Sequence, residues 1–197
     1  MSLSNIQIIQ KIQDIKADFY AQNSKNIFFK KSQKQDLSNR IIQEISVDNL
    51  IRVSIYKFSQ SSIFVDYSII KIYIDTSIYE QLLDKLINIM LECTATGPNY
   101  TYEMHINLDG FTITSAERHK SVIEQFCQRV NNNDVFFNKM TRMHIYNTPS
   151  MIETISKLFM YMVHPNIKEK MTKYDKEQSV DKLAEIVKQT VELKNII

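Results

Sequence analysis

The chain has 197 residues, 24 basic and 22 acidic side chains, a formal net charge of +2, and hydrophobic and charged fractions of 44% and 23%. These values sit near the averages for folded domains, so disorder, collagen-like repeats and disulfide scaffolds are excluded, and the balanced charge gives no footprint for nucleic acid. Two glycines, Gly97 and Gly110, cannot write a dinucleotide-binding or P-loop fingerprint, which excludes nucleotide enzymes that carry those motifs.

Ile8, Ile12, Ile15 and Phe19 fall on one stripe of a helix starting near Ser4. This segment is amphipathic, with Gln, Lys and Asp interrupting it, so it does not read as a secretory leader, and no apolar run in the chain reaches the length of a membrane span. The polar stretch from Gln22 to Gln35 reads as a loop. A second helix opens at Asp36 with Leu37, Ile41 and Ile45.

From Leu50 the period changes to two, with Ile51, Val53 and Ile55 alternating with Arg52, Ser54 and Tyr56, which predicts a strand. Ser59 to Ser62 make a turn, and Ile63 to Asp75 read as a second strand, bent where Ile69 and Ile70 break the alternation. A helix over Ser77 to Cys93 carries Leu82, Leu83, Leu86, Ile87 and Met90, and ends at Thr96-Gly97-Pro98-Asn99. Tyr102, Met104, Ile106 and Leu108 alternate with Glu103, His105 and Asn107 as a strand closed by the Asp109-Gly110 turn.

Ser115 precedes a helix bearing Val122, Ile123, Phe126, Cys127 and Val130, stopped by Asn131 to Asp134. A strand from Lys139 to Asn147 follows, then a helix with Pro149 near its first turn and Pro165 at its end. Val180, Leu183, Val187 and Val191 mark the apolar stripe of a last helix. Strands alternating with crossover-length helices predict an α/β fold: a mixed, mostly parallel sheet with an N-terminal antiparallel hairpin, flanked by helices. Three parts are expected, a helical segment over 1–49, the α/β domain over 50–175 and an amphipathic helix over 176–197 packed on it.

Little in the chain reads as catalytic chemistry. Cys93 and Cys127 have no CxxC and no His partner, so two buried reduced thiols are expected, in a soluble cytoplasmic protein. No nucleophile elbow is present. His105, His119, His144 and His164 are scattered; His105 and His144 lie on neighbouring predicted strands, but no carboxylate stands at an obvious ligand spacing, so no metal site is assigned. No enzyme and no cofactor are expected. The segment Met151 to Val163 is apolar beyond the stripe needed to sit on a sheet, so the rest is covered by further core, a protein partner, an apolar ligand or a membrane.

The residues from His105 to Phe111, the helix after them and the stretch Met143 to Met171 together resemble the CRAL-TRIO lipid-binding family. Asp109-Gly110 stands for its D-x-x-G, Phe136-Phe137-Asn138 for its aromatic-Pro-Glu, and Asn147-Thr148-Pro149 for its N-A-P-like tripeptide. Pro165 matches its loop proline, Lys170-Met171 its K-I pair, and Leu183 and Ile186 its following helix. The match runs from about Leu50 to Ile186. The resemblance implies binding or transfer of a lipid or other hydrophobic molecule, with transient contact to a membrane surface. It implies a gate helix carrying Ile152, Ile155, Phe159 and Met162 over a sheet floor of Met104, Ile106, Met143 and Ile145, although alternation does not say which sheet face is which. Lys170 would contact a headgroup; Asn138 stands where the family's headgroup-binding Glu is found. The alternative is a module of the same fold with a filled interior that binds a protein partner.

Overall fold

One sheet organises the chain, with its strands in the spatial order β1 (Ile55–Lys57), β2 (Ser62–Asp66), β3 (Tyr102–Asn107), β4 (Met140–Tyr146) and β5 (Met171–Lys173). The computed structural model describes residues 4–23, 30–96, 98–132 and 134–194. β1 and β2 form an antiparallel hairpin and each later pairing is parallel, which is the mixed sheet expected from the sequence. Parallel neighbours need crossovers. Before the sheet come α1 (Asn5–Gln22), α2 (Lys30–Glu44) and α3 (Val47–Ser54). α4 (Tyr67–Tyr73) and α5 (Tyr79–Thr96) join β2 to β3, and α6 (Ile113–Arg118), α7 (Lys120–Asn131) and α8 (Asp134–Lys139) join β3 to β4. α9 (Ile152–Phe159) and α10 (Pro165–Lys170) lead to β5, and α11 (Lys176–Lys194) follows.

Several boundaries differ from the sequence reading, each for a local reason. The alternation from Leu50 belongs to a helix: the Ser46 hydroxyl accepts from the Asn49 amide, and the buried set Leu50, Ile51, Val53 and Ser54 has helical spacing, leaving three residues to β1. The long second strand stops at Asp66, whose carboxylate accepts from the Ser68 amide and starts α4. Lys30 to Gln35 are helical, while the rest of the predicted loop, 24–29, and Gly97 lie outside the described residues. The helix after Ser115 is two helices meeting at His119, and α8 follows where a stop was expected. α9 ends at Phe159, so Pro165 does not terminate it; Pro165 opens α10, where its missing N–H costs nothing. In α11 the buried positions are Ser179 and Ile186, with Leu183 half-buried, while Val180 and Val187 face solvent.

The two faces of the sheet have different cover. Tyr102 and Met104 of β3 and Ile63 of β2 join the main core with α1 to α5, to which α1 contributes Ile8, Ile12, Ile15 and Phe19. Burying each such side chain contributes roughly 1.5–3 kcal/mol. The opposite face carries Phe64 and Tyr146, which pack with Phe58 and with Ile186 of α11. At the β3 exit Gly110 has φ +73°, and a Cβ there would lie 2.5 Å from Lys71 Nζ. The Lys71 ammonium donates to the Asp109 carbonyl at 2.9 Å and pairs with its carboxylate at 3.5 Å. Asp109-Gly110 is thus a turn held by a lysine.

Candidate functional site

The predicted floor residues share one face. Met104 pairs with Met143 and Ile106 with Ile145 across the β3–β4 ladder, so all four side chains point to the helix-covered side. They are not equally covered. Met104 and Ile145 are buried, whereas Ile106 and Met143 are half-buried although both strands are interior to the sheet. In α7, Val122 and Val130 are buried, but Ile123, Phe126 and Cys127 are only half-buried, contrary to the expectation of a buried Cys127 thiol.

The predicted gate residues gather elsewhere on the same side. Ile155 and Phe159 of α9 pack with Ala116 of α6 in a small cluster of their own, bordered by Phe111, Ile123, Leu158 and Met162. Phe111 also touches the main core, as does Val163 after α9. α9 therefore sits at the edge of the core on a separate apolar contact. Ile152 and Met162 are half-buried, and Met151 and Tyr161 are exposed. Lys170 is apart from this group: its ammonium donates to the carbonyls of Phe137 and Met140 at 2.8 and 2.6 Å, tying the end of α8 to the start of β4.

At the ends of the parallel strands the polar side chains are mutually satisfied. Asn107 donates to the Asp66 carboxylate at 3.0 Å, and Asn147 donates to the Asn107 side-chain oxygen at 2.8 Å. Burial raises the Asp66 pKa, opposed by the bonds from Ser68 and Asn107. Asn147 has φ 50°, a left-handed conformation that asparagine tolerates, and its amide donates to the Ser179 hydroxyl of α11 at 2.7 Å. The tripeptide Asn147-Thr148-Pro149 is thus a joint between β4, α9 and α11.

Succession of strand, Asp109-Gly110 turn, helices, strand, asparagine joint and α9 is therefore present in space as well as in order. A family model described as the CRAL/TRIO domain matches residues 53–194. The chain belongs to the CRAL/TRIO family. CRAL/TRIO domains are lipid-binding domains, so binding of a hydrophobic ligand is the general function that membership supports, and they are generally not enzymes. No curated protein matches the chain. Among the described residues of this CRAL/TRIO domain, no helix is long and apolar enough to cross a membrane.

The other sheet face of the CRAL/TRIO domain holds a cleft of about 460 Å³ between β3, β4 and α11, lined by Phe58, Glu103, His105, His144, Tyr146 and Tyr174 among others. His105 and His144 are registered neighbours on β3 and β4 with ring centroids 4.6 Å apart, and the stack continues through Tyr146 to Tyr174. Burial, and then His144, push the His105 imidazole down to about 4; burial also lowers His144, against the pull of Glu103. Sequence reasoning put the two histidines on neighbouring strands but overlooked Glu103. The signal was in the alternation, because Glu103 and His105 are two apart on one strand and must share a face.

Proposed function

We propose that the chain binds a lipid-like ligand on the sheet face bearing Ile106 and Met143, with α7 beside it and α9 as the covering element. The observation that carries this reading is the incomplete cover of that face. Ile106 and Met143 lie on interior strands, where a closed helical layer would bury them, yet both remain half-buried, as do Phe126 and Val163 at the margin of the same core. An acyl chain laid there gains about 0.8 kcal/mol per methylene removed from water. α9 is suited to move because its buried contacts form a separate cluster, and Met151 and Tyr161 at its two ends offer an apolar edge to a membrane during loading and transfer.

Titration with anthroyloxy-stearate, a fluorescent fatty acid, tests this. The chain should take up the probe and release it to unlabelled fatty acid. Met143→Trp and, independently, Ile106→Phe should weaken uptake about tenfold, the equivalent of losing room for about two methylenes. Absence of uptake, or equal affinity in both folded variants, contradicts the reading and favours a filled module that binds a protein.

A further inference from the structure

On the α11 side of the sheet, nitrogen and carboxylate ligand atoms converge without bonding to one another. Glu103 Oε2 lies 3.7 Å from His105 Nε2 and 3.9 Å from His144 Nε2, and the three ligand atoms lie within 4.8 Å of one another. These separations exceed hydrogen-bond range. His105 is 8% exposed, and its Nε2 is buried with no hydrogen-bond partner. An unpaired buried polar atom costs roughly 1–3 kcal/mol, so its position calls for an atom that the chain itself does not supply.

The other nitrogen of each ring is already engaged. His105 Nδ1 is 2.8 Å from the Tyr146 hydroxyl, and His144 Nδ1 is 3.1 Å from the Tyr174 hydroxyl. In the tautomer that carries its proton on Nδ1, each ring donates to its tyrosine oxygen and presents an Nε2 lone pair on the side of Glu103. Such an outer partner is what fixes the tautomer and ring orientation of metal-binding histidines. A ladder serving packing alone would need neither the carboxylate nor the unpaired nitrogen.

We propose that Glu103 Oε2, His105 Nε2 and His144 Nε2 bind one divalent transition-metal ion of the Zn²⁺ class, leaving a fourth position open to the cleft beneath α11. Ligands about 2.1 Å from a tetrahedral ion stand about 3.4 Å apart, so the 3.7 and 3.9 Å carboxylate–imidazole edges contract slightly on binding and the edge between the two imidazoles, which is at most 4.8 Å, closes by a rotation of the rings. Two imidazoles and one carboxylate suit Zn²⁺ better than Ca²⁺ or Mg²⁺, which take oxygen ligands. Asp181, Lys182 and Glu185 of α11 line the same cleft, so the site opens toward polar groups as well as toward Phe58 and Ile186. This site is on the opposite sheet face from the lipid site proposed above and does not rest on it.

The test is titration of the chelator-treated, tag-free full chain with Zn²⁺ by calorimetry, and with Co²⁺ by visible absorption. One Zn²⁺ per chain is expected, together with the intense visible bands of four-coordinate Co²⁺. His144→Gln should abolish both signals. Glu103→Gln, at a partly exposed position where the fold is least disturbed, should lower Zn²⁺ affinity at least about tenfold while leaving the thermal melt of the metal-free chain unchanged. No stoichiometric binding, or affinity that Glu103→Gln leaves unaltered, overturns the proposal.

Discussion

Ser54 and Tyr73 show how single side chains hold this fold together. Both are fully buried, and their hydroxyl oxygens are 2.6 Å apart. Ser54 donates to the Ile51 carbonyl at 3.2 Å, so the proton between the two hydroxyls comes from Tyr73. Burial pushes the Tyr73 phenol well above its ordinary value and keeps it a neutral donor. The pair ties the last turn of α3 to the end of α4. Ser54→Ala strands the Tyr73 hydroxyl and should cost about 1–3 kcal/mol in urea unfolding, of which Tyr73→Phe in the same chain should restore a part. No recovery in the double variant would mean that the hydroxyls are not coupled. None of this was legible in the sequence, where Ser54 reads as an outward strand residue, because only the helical turn at Ser46 brings it inside.

Helices α3 and α4 show where patterns mislead. Isoleucine and valine at every second position satisfy a strand template, but the same stretch contains a buried i, i+1, i+3, i+4 set, and the capping side chains Ser46 and Asp66 decide between the two. Longer elements with clear periods, such as α1, α5 and β3, were legible because their stripes face one continuous core. Caps between elements also set the pH response. His119, at the junction of α6 and α7, is buried with Nδ1 3.1 Å from the Tyr79 hydroxyl and its ring edge-on to Tyr67. Burial first, and Arg118 second, lower its pKa from 6.5. The unfolded chain therefore binds a proton here at a pH where the folded chain does not, and stability falls as pH drops below about 6.5. Denaturation midpoints of the metal-free chain should decline between about pH 7 and pH 5, and less steeply in His119→Gln; parallel slopes would remove His119 from this role.

At the scale of the whole molecule, the sheet separates two environments. One face joins the main core and leaves Ile106 and Met143 half-buried; the other is polar and aromatic beneath α11. The mixed sheet was legible because crossover-length helices alternate with strands. β5 was not, since three residues at an edge carry no readable alternation. The shared sheet face of Met104, Ile106, Met143 and Ile145 follows from alternation, but their unequal cover depends on helix packing that no local pattern encodes. Lys170 shows the same limit, since its two carbonyl partners, Phe137 and Met140, stand 33 and 30 positions before it. The proposed occupancy of the half-buried sheet face of this CRAL/TRIO domain by a hydrophobic ligand is read out by native mass spectrometry of the chain purified without detergent. The expected result is a mass above that of the polypeptide, lost on denaturation and recovered as lipid in the organic extract. A bare polypeptide mass, with no lipid above that of a control protein prepared in the same way, would contradict it.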